Sequence, residues 1–348
     1  MRKILPTIYP SITSWTWHAN LFSILEQFDY AKEWIFSNYI QIHCRQDIKK
    51  QNLLFLEFIP GYNSFLECPV IHTQYMDRKT VLDVWKDVKN FLRYSIDEGY
   101  YIYCICNERY LFRSEKNFFH ELFIYGYDDD NDTAYVADFS FTSSGKYSFE
   151  KVSLDMVCKG IEMVNKSDDY LLRWAGGIIL AQARECAELN YKLNIEHIKT
   201  QLTEYLQGVN SLKHLGLLYN QDSFSYDKNG DLYAIHAFGI NVFQYLSEYL
   251  DKIENVDDID IRPFHNLYDH KKLMRMRVEY LLKKKFLSSD IKIVFTFKEI
   301  EKKMDIVCKI LLKIKVTNDI KLKNKVNSLL YEIQQMESEI IYSILGKL

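Results

Sequence analysis

Two side chains on neighbouring predicted strands, His120 and Asp138, are the residues best suited to chemistry. Residues 118–127 have a β-strand pattern, residues 128–132 form a polar turn, and residues 133–139 resume the strand pattern, so the stretch predicts a β-hairpin. An imidazole and a carboxylate on adjacent antiparallel strands can lie close enough to hydrogen-bond. Such a bond fixes the tautomer of the imidazole and supports general-base catalysis. The hairpin therefore predicts a His–Asp pair.

A base of this kind usually activates a cysteine or a serine. The nucleophile is expected at the start of a helix, where the helix dipole stabilises a thiolate. The best candidate is the segment 14–25, in which a polar, aromatic approach leads into an apolar helix. This segment contains no cysteine, so the nucleophile is the missing part of the predicted site.

Composition excludes several classes of protein. The chain has 348 residues, of which 48% are hydrophobic, and a net charge of −3. This length predicts one or two domains, and the small net charge gives no reason to expect a nucleic acid or a membrane surface as partner. We expect no signal peptide and no membrane span, because no apolar run is long enough. The seven cysteines are scattered and odd in number, which favours a reducing cytoplasm over a disulfide framework.

The strand patterns concentrate in the first half of the chain. Helices are predicted near residues 19–39 and 81–94, and further strands near residues 53–59, 99–105 and 147–152. Later segments carry helical patterns, near residues 153–165, 168–191, 194–208, 238–254, 267–286 and 297–346. The sequence thus predicts an α+β fold, with one mixed domain over residues 1–165 and a mostly α-helical domain over residues 166–348.

The order of these features resembles a papain-type cysteine peptidase fold, and more specifically the butirosin-biosynthesis H type of acyltransferase domain. The likeness rests on a helix start, a long gap, His120 on a strand, Tyr-Gly-Tyr-Asp at residues 125–128, and Val-Ala-Asp at residues 136–138. It covers about residues 10–155. In the helical half, residues 259–265 and 270–274 resemble the family's second domain.

The resemblance implies a papain-like N-terminal domain that carries a Cys–His–Asp triad. Such acyltransferases take an acyl or peptidyl group from a carrier-protein thioester and pass it to a small amine, which forms an amide in natural-product biosynthesis. His120 would be the base and Asp138 its orienting residue. Members of the family commonly begin the first helix with a His-Cys pair, and His18-Ala19 stands at that place. Ala19 therefore marks the nucleophile position.

Three explanations of the alanine stay open. Ala19 is an engineered Cys→Ala substitution, or Thr16 is the true nucleophile position, since Thr16-Trp17 resembles the Cys-Trp step that opens the first helix of papain. Alternatively, the chain is a natural binding protein that has lost its chemistry. Under the first two explanations Trp15, Trp17 and His18 would line the substrate site, and no metal or other cofactor is expected.

Less specific explanations also exist for these residues. His120 could be a hydrogen-bonded histidine on a half-buried strand, Asp138 a strand-end turn former, and the two tryptophans core residues. Within enzymes, the alternative is a cysteine peptidase or thioesterase that hydrolyses its substrate. The lysine-rich stretch 302–325 could bind an acidic carrier protein, or it could be the solvated face of an amphipathic helix.

Overall fold

The computed structural model describes residues 1–46, 54–59, 61, 64–112, 114–164, 177–184, 191–211, 235–288 and 291–348. It combines helices with a large antiparallel sheet, which confirms the expected mixture of the two. The strands are β1 (Arg2–Ile4), β2 (Gln41–Gln46), β3 (Leu54–Ile59), β4 (Ile71–Met76), β5 (Tyr101–Asn107), β6 (Phe119–Asp128), β7 (Thr133–Asp138), β8 (Ser148–Ser153), β9 (Ile178–Ala183) and β10 (Ile235–Phe238). The helices are α1 (Thr16–Leu25), α2 (Ala31–Asn38), α3 (Ser64–Glu67), α4 (Arg78–Trp85), α5 (Val88–Asp97), α6 (Arg109–Phe112), α7 (Leu154–Glu162), α8 (Ile195–Gln207), α9 (Val242–Lys252), α10 (Arg262–Lys283), α11 (Ile291–Thr317) and α12 (Lys323–Leu345).

The chain forms two compact units, and each unit is built from two separate stretches of sequence. Unit 1 comprises Met1–Ala31 and Ser64–Asn190, and unit 2 comprises Lys32–Asn63 and Tyr191–Leu348. This grouping differs from the predicted division after residue 165. The reason is strand pairing, because β9 lies between β4 and β5 in unit 1, whereas β2 pairs with both β3 and β10 in unit 2.

Unit 1 is built around a seven-stranded antiparallel sheet. The strand order is β4-β9-β5-β6-β7-β8, and β1 also pairs with β6. Cys106 lies opposite His120 in the pairing of β5 and β6, and Ile105 lies opposite Glu121. Successive residues of a strand project to opposite faces of the sheet. His120 and Cys106 therefore share one face, and Glu121 and Ile105 share the other.

Helices contact both faces of this sheet. On the face of Cys106, α7 comes so close that a Cβ atom at Gly160 would clash with the Cys106 thiol, so only glycine fits. On the other face, Thr16 at the start of α1 places its Oγ1 3.4 Å from Tyr103 Oη. The ring of Phe65 from α3 stacks on the same tyrosine with 5.2 Å between ring centroids. The sheet therefore has a buried layer on each side.

Several predicted elements are wrong in detail. The helix predicted near residues 19–39 is two helices, α1 and α2, and the one predicted near residues 297–346 is divided where Asn318 adopts a left-handed φ of 55°. The described part of the helix predicted near residues 168–191 is the strand β9, and β2, β4 and β10 were not predicted. Two polar segments whose composition predicts breaks between helices, residues 220–222 and 227–230, lie outside the described residues.

In unit 2, α10 satisfies backbone carbonyl groups that would otherwise be buried without partners. Asn266 Nδ2 donates to the Leu56 carbonyl of β3 at 2.7 Å. Arg277 is 1% exposed and donates to the carbonyls of Phe36 at 2.8 Å and Tyr39 at 2.5 Å. These carbonyls belong to the last turn of α2 and the residue beyond it, where a cation is favoured. The guanidinium thus ties α2 to α10.

Lys271 on the same helix is a fully buried cation with three acceptors. Its Nζ donates to Glu337 Oε2 at 2.5 Å, Tyr205 Oη at 2.9 Å and His270 Nδ1 at 3.0 Å. His270 Nε2 donates to the Ile40 carbonyl at 2.7 Å, which leaves Nδ1 as the acceptor. Every hydrogen of the ammonium group is therefore used within unit 2.

We expect Lys271→Met to lower the free energy of unfolding by about 3–5 kcal/mol, because it leaves the Glu337 carboxylate buried without its cation. The double variant Lys271→Met/Glu337→Leu should recover most of that loss, since it removes both charges. Urea denaturation measures the difference. Lys309→Met, which removes an exposed pair with Asp305, is the control and should have little effect. Equal destabilisation by the single and double variants would contradict this account.

Candidate active site around His120 and Asp138

The structure brings the predicted pair together. His120 Nδ1 donates a hydrogen bond to Asp138 Oδ2 at 2.8 Å. The pairing of β6 with β7 places Phe123 opposite Ala137, so Asp138 is a diagonal neighbour of His120 on the same face of the sheet. The Asp138 side chain is 0% exposed and the His120 side chain is 25% exposed. The imidazole is thus the accessible member of the pair.

Two further residues, which the sequence analysis missed, complete the cluster. Ser140 Oγ lies 2.5 Å from Asp138 Oδ2 and 2.9 Å from Glu108 Oε1. The Glu108 backbone N–H donates to the Phe118 carbonyl at 2.7 Å, which places Glu108 directly beyond β5 and beside the start of β6. A usable signal was that Glu108 is the first charged residue after the uncharged strand β5.

Burial and neighbouring charges set the protonation states. Burial alone would lower the pKa of His120, but the hydrogen bond and charge of Asp138 outweigh it and raise that pKa to about 9. Burial opposes the charge on Asp138, yet the imidazolium beside it keeps the pKa of this carboxyl below its usual value. Burial and the charge of Asp138 raise the pKa of Glu108 to about 8. At neutral pH the pair is therefore an imidazolium and a carboxylate beside a neutral carboxyl group.

The second imidazole nitrogen lies near the end of the sheet. His120 Nε2 is 3.8 Å from Glu121 Oε2, and burial raises the pKa of Glu121. Glu121 projects from the same sheet face as Tyr103, which contacts Thr16 at the start of α1. Nε2 is the nitrogen that could exchange a proton with a reacting group, because Nδ1 is held by Asp138.

The nucleophile positions lie in α1 of the same unit. Ala19 is 0% exposed, and Thr16 is 5% exposed with its Oγ1 beside Tyr103 Oη. The start of α1 contacts the sheet face of Tyr103, whereas His120 projects from the opposite face, and no contact among the described residues joins Ala19 to His120 or Asp138. The convergence of position 19 with the His–Asp pair therefore stays a prediction.

The predicted substrate-binding residues differ in their burial. The rings of Trp15 and Trp17 stack with 5.0 Å between centroids and 6° between planes, and both side chains are partly exposed. His18 is fully buried, and burial lowers its pKa to about 3, so its imidazole is neutral. The stacked tryptophans thus offer an accessible aromatic surface beside α1, whereas His18 is a core residue.

No described cysteine substitutes for the missing nucleophile. Burial raises the pKa of the thiol at each of Cys44, Cys68, Cys104, Cys106, Cys158 and Cys308. The thiolate is the reactive species, so these protonated thiols are poor nucleophiles. Cys186 lies outside the described residues.

The same cluster contains a possible donor set for a metal ion. Glu108, His120 and Asp138 each offer one ligand atom, and these atoms lie within 4.8 Å of one another. One imidazole nitrogen and two carboxylate oxygens suit a divalent transition metal such as zinc. A metal would compete with the proton that His120 shares with Asp138. The expectation of a site without metal stays a prediction.

We expect the free energy of unfolding to fall as the pH rises from about 4.5, where unfolded Glu108 ionises, to about 9, where folded His120 does. The folded-state pKa values of His120 and Glu108, about 9 and about 8, exceed their usual values of 6.5 and 4.5. Each group binds its proton more tightly when folded, so its stabilisation is present below the usual pKa and is lost as the pH passes the raised one. Urea midpoints across this range measure the fall. The double variant His120→Gln/Glu108→Gln should show a much smaller fall, and an unchanged slope would contradict the assignment.

Comparisons with known proteins do not assign this chain to a family. No protein-family model matches the chain, and no curated protein matches it either. Among the described helices, none has both the length and the apolar character needed to cross a membrane. Function must therefore be argued from the site itself.

Proposed function

We propose that this chain has the papain-like design of a butirosin H-type acyltransferase, which transfers an acyl or peptidyl group from a carrier-protein thioester to a small amine. The hydrogen bond of 2.8 Å between His120 and the buried Asp138 is the observation that carries the proposal. The order of elements supports it, because α1 precedes the two antiparallel strands that hold the pair. Position 19, in the first turn of α1, would hold the nucleophile.

The chemistry follows from these positions when a cysteine stands at residue 19. The thiolate attacks the thioester carbonyl, and the carrier thiolate leaves with the proton from the His120 imidazolium. The amine then attacks the acyl-enzyme, gives its proton to the imidazole, and expels the cysteine thiolate as the amide forms. The raised pKa of His120 favours the imidazolium–thiolate pair that starts this cycle. With Ala19, the chain can bind its substrate but cannot form the acyl-enzyme.

Amide formation requires the amine to react faster than water does. A site from which water is excluded favours that outcome. The burial of Ala19 and the partly exposed stack of Trp15 and Trp17 support such a site. These features favour transfer to an amine over hydrolysis, which needs an open path for water.

We expect Ala19→Cys to produce amide when it is incubated with an acyl-loaded carrier protein and candidate amines. Adding His120→Ala to this variant should lower the rate about 10²–10⁴-fold, because it removes the general base. Mass spectrometry of the products provides the measurement. Free acid in place of amide would identify a thioesterase or peptidase, and no turnover from Ala19→Cys would favour a binding protein.

The unaltered chain is the control for the alternative nucleophile. If Thr16 were the nucleophile, the chain with Ala19 would itself turn over and Thr16→Ala would abolish that activity. We expect neither result, because Thr16 Oγ1 lies 3.4 Å from Tyr103 Oη, which occupies the hydroxyl in a hydrogen bond.

A carrier protein is the proposed partner, and the lysine-rich end of α11 is a candidate surface for it. Lys313 and Lys315 are both exposed, whereas Lys309 is paired with Asp305. Opposite charges across an interface raise the association rate, and salt weakens this effect.

We expect Lys313→Glu/Lys315→Glu to weaken carrier binding and to reduce its salt dependence. The matched control is Lys283→Glu/Lys285→Glu, which makes the same change of charge at two exposed lysines at the end of α10. Titration calorimetry at two salt concentrations gives both quantities. Equal effects of the two double variants would contradict a specific role for α11.

A further inference from the structure

Three side chains that can bind a metal ion, Glu108, His120 and Asp138, meet at one end of the sheet in unit 1. One ligand atom from each of them lies within 4.8 Å of the other two. Glu108 directly follows β5, His120 is the second residue of β6, and Asp138 is the last residue of β7. Strand pairing therefore brings the three residues together, and it positions them more precisely than a loop would.

Two buried carboxyl oxygens in this cluster have no hydrogen-bond partner within the described part of the chain. They are Glu108 Oε2 and Asp138 Oδ1, and both residues are 0% exposed. A buried acceptor of this kind is unfavourable unless a donor or a cation satisfies it. The other oxygen of each group, Glu108 Oε1 and Asp138 Oδ2, contacts the same Ser140 hydroxyl, at 2.9 and 2.5 Å. The two carboxyl groups thus lie side by side, and one cation between them would satisfy both.

The donor atoms determine which kind of cation fits. One imidazole nitrogen and two carboxylate oxygens suit zinc and the neighbouring transition metals, whereas magnesium and calcium prefer oxygen ligands alone. Ligand atoms about 2 Å from a tetrahedral zinc ion lie about 3.3 Å apart. His120 Nδ1 and Asp138 Oδ2 are 2.8 Å apart. An ion would therefore fit between these two atoms after they separate by about half an ångström.

The cluster also has a route for entry and a supporting hydrogen bond. The His120 side chain is 25% exposed, so an ion can reach the imidazole from solvent. The Ser140 hydroxyl contacts both carboxyl groups, as the outer hydrogen-bond partners of metal ligands do. Three protein ligands leave the fourth position of a tetrahedral zinc ion for a water molecule.

We propose that Glu108, His120 and Asp138 bind a divalent transition-metal ion such as Zn²⁺, which replaces the hydrogen bond between His120 and Asp138. The ion binds the deprotonated forms of its ligands. The hydrogen on His120 Nδ1 and the hydrogen on the Glu108 carboxyl group therefore leave to solvent as protons when the ion binds.

Metal binding and general-base catalysis exclude each other at this imidazole. With the ion on Nδ1 of His120, the neutral ring keeps its hydrogen on Nε2, which is the nitrogen that would accept a proton from a reacting group. The ion is therefore an inhibitor of the proposed acyltransferase rather than its cofactor. This consequence rests on the proposed function, whereas the metal site itself does not.

Calorimetric titration of the unaltered full chain with Zn²⁺ tests the site. We expect one saturable site per chain, and an affinity at least about 10-fold lower in each of Glu108→Gln, His120→Gln and Asp138→Asn, because each variant lacks one ligand. The matched controls are Glu115→Gln and His72→Gln, which make the same changes at exposed residues of unit 1 and should bind Zn²⁺ as the unaltered chain does. No saturable binding, or equal affinities in the ligand variants and the controls, would overturn the proposal.

Nuclear magnetic resonance of the unaltered chain tests the site without depending on the stability of the ligand variants. With ¹⁵N-labelled histidine, saturating Zn²⁺ should shift the Nδ1 signal of His120 and leave the ring hydrogen on Nε2. The signals of the exposed His72 should change little and are the internal control. A His120 signal that does not respond to Zn²⁺ would overturn the proposal.

Neither measurement needs turnover, so the two proposals fail separately. Zinc binding at His120 without amide formation by Ala19→Cys would contradict the proposed function alone. Amide formation by Ala19→Cys without zinc binding to the unaltered chain would overturn the metal site alone.

Discussion

The buried carboxylate of Asp138 is the constraint on which the candidate site depends. A charged group away from water is unfavourable unless donors surround it. His120 Nδ1 and Ser140 Oγ supply those donors at 2.8 and 2.5 Å, and in return the charge of Asp138 raises the pKa of the imidazole. The orientation of the base and its protonation state are thus two consequences of one contact. The register of β6 against β7 maintains it.

The sequence was sufficient to predict the His120–Asp138 pair because the information is local. A hairpin with a polar turn brings residues 18 positions apart onto neighbouring strands. Glu108 and Ser140 could not be predicted in the same way, because they meet only after β5 has paired with β6 and the chain has turned beyond β7. The segment that forms the strand β9 was predicted as a helix for a similar reason. Its short apolar run fits either structure, and its position between β4 and β5 is decided by distant partners.

Strand pairing also explains why the units are discontinuous in sequence. The predicted boundary assumed that a helical pattern marks a helical domain, but in unit 2 β2 pairs with both β3 and β10, and β3 lies against α10. In that unit the buried ammonium group of Lys271 donates all three of its hydrogens, to Glu337, Tyr205 and His270. Unit 1 instead keeps its buried charges around an accessible imidazole. Fully satisfied networks specify structure, whereas a partly exposed one can act on a ligand.

The proposed function requires residue 19 to reach the imidazole of His120, although the start of α1 contacts the opposite face of the sheet through Tyr103. The most direct test is the ultraviolet absorbance of the thiolate in Ala19→Cys as a function of pH, with the unaltered chain subtracted and with His120→Ala as the paired variant. The account predicts a thiolate near neutral pH that disappears when His120 is removed, because an adjacent imidazolium lowers the pKa of a thiol. Identical titration curves with and without His120 would contradict the account.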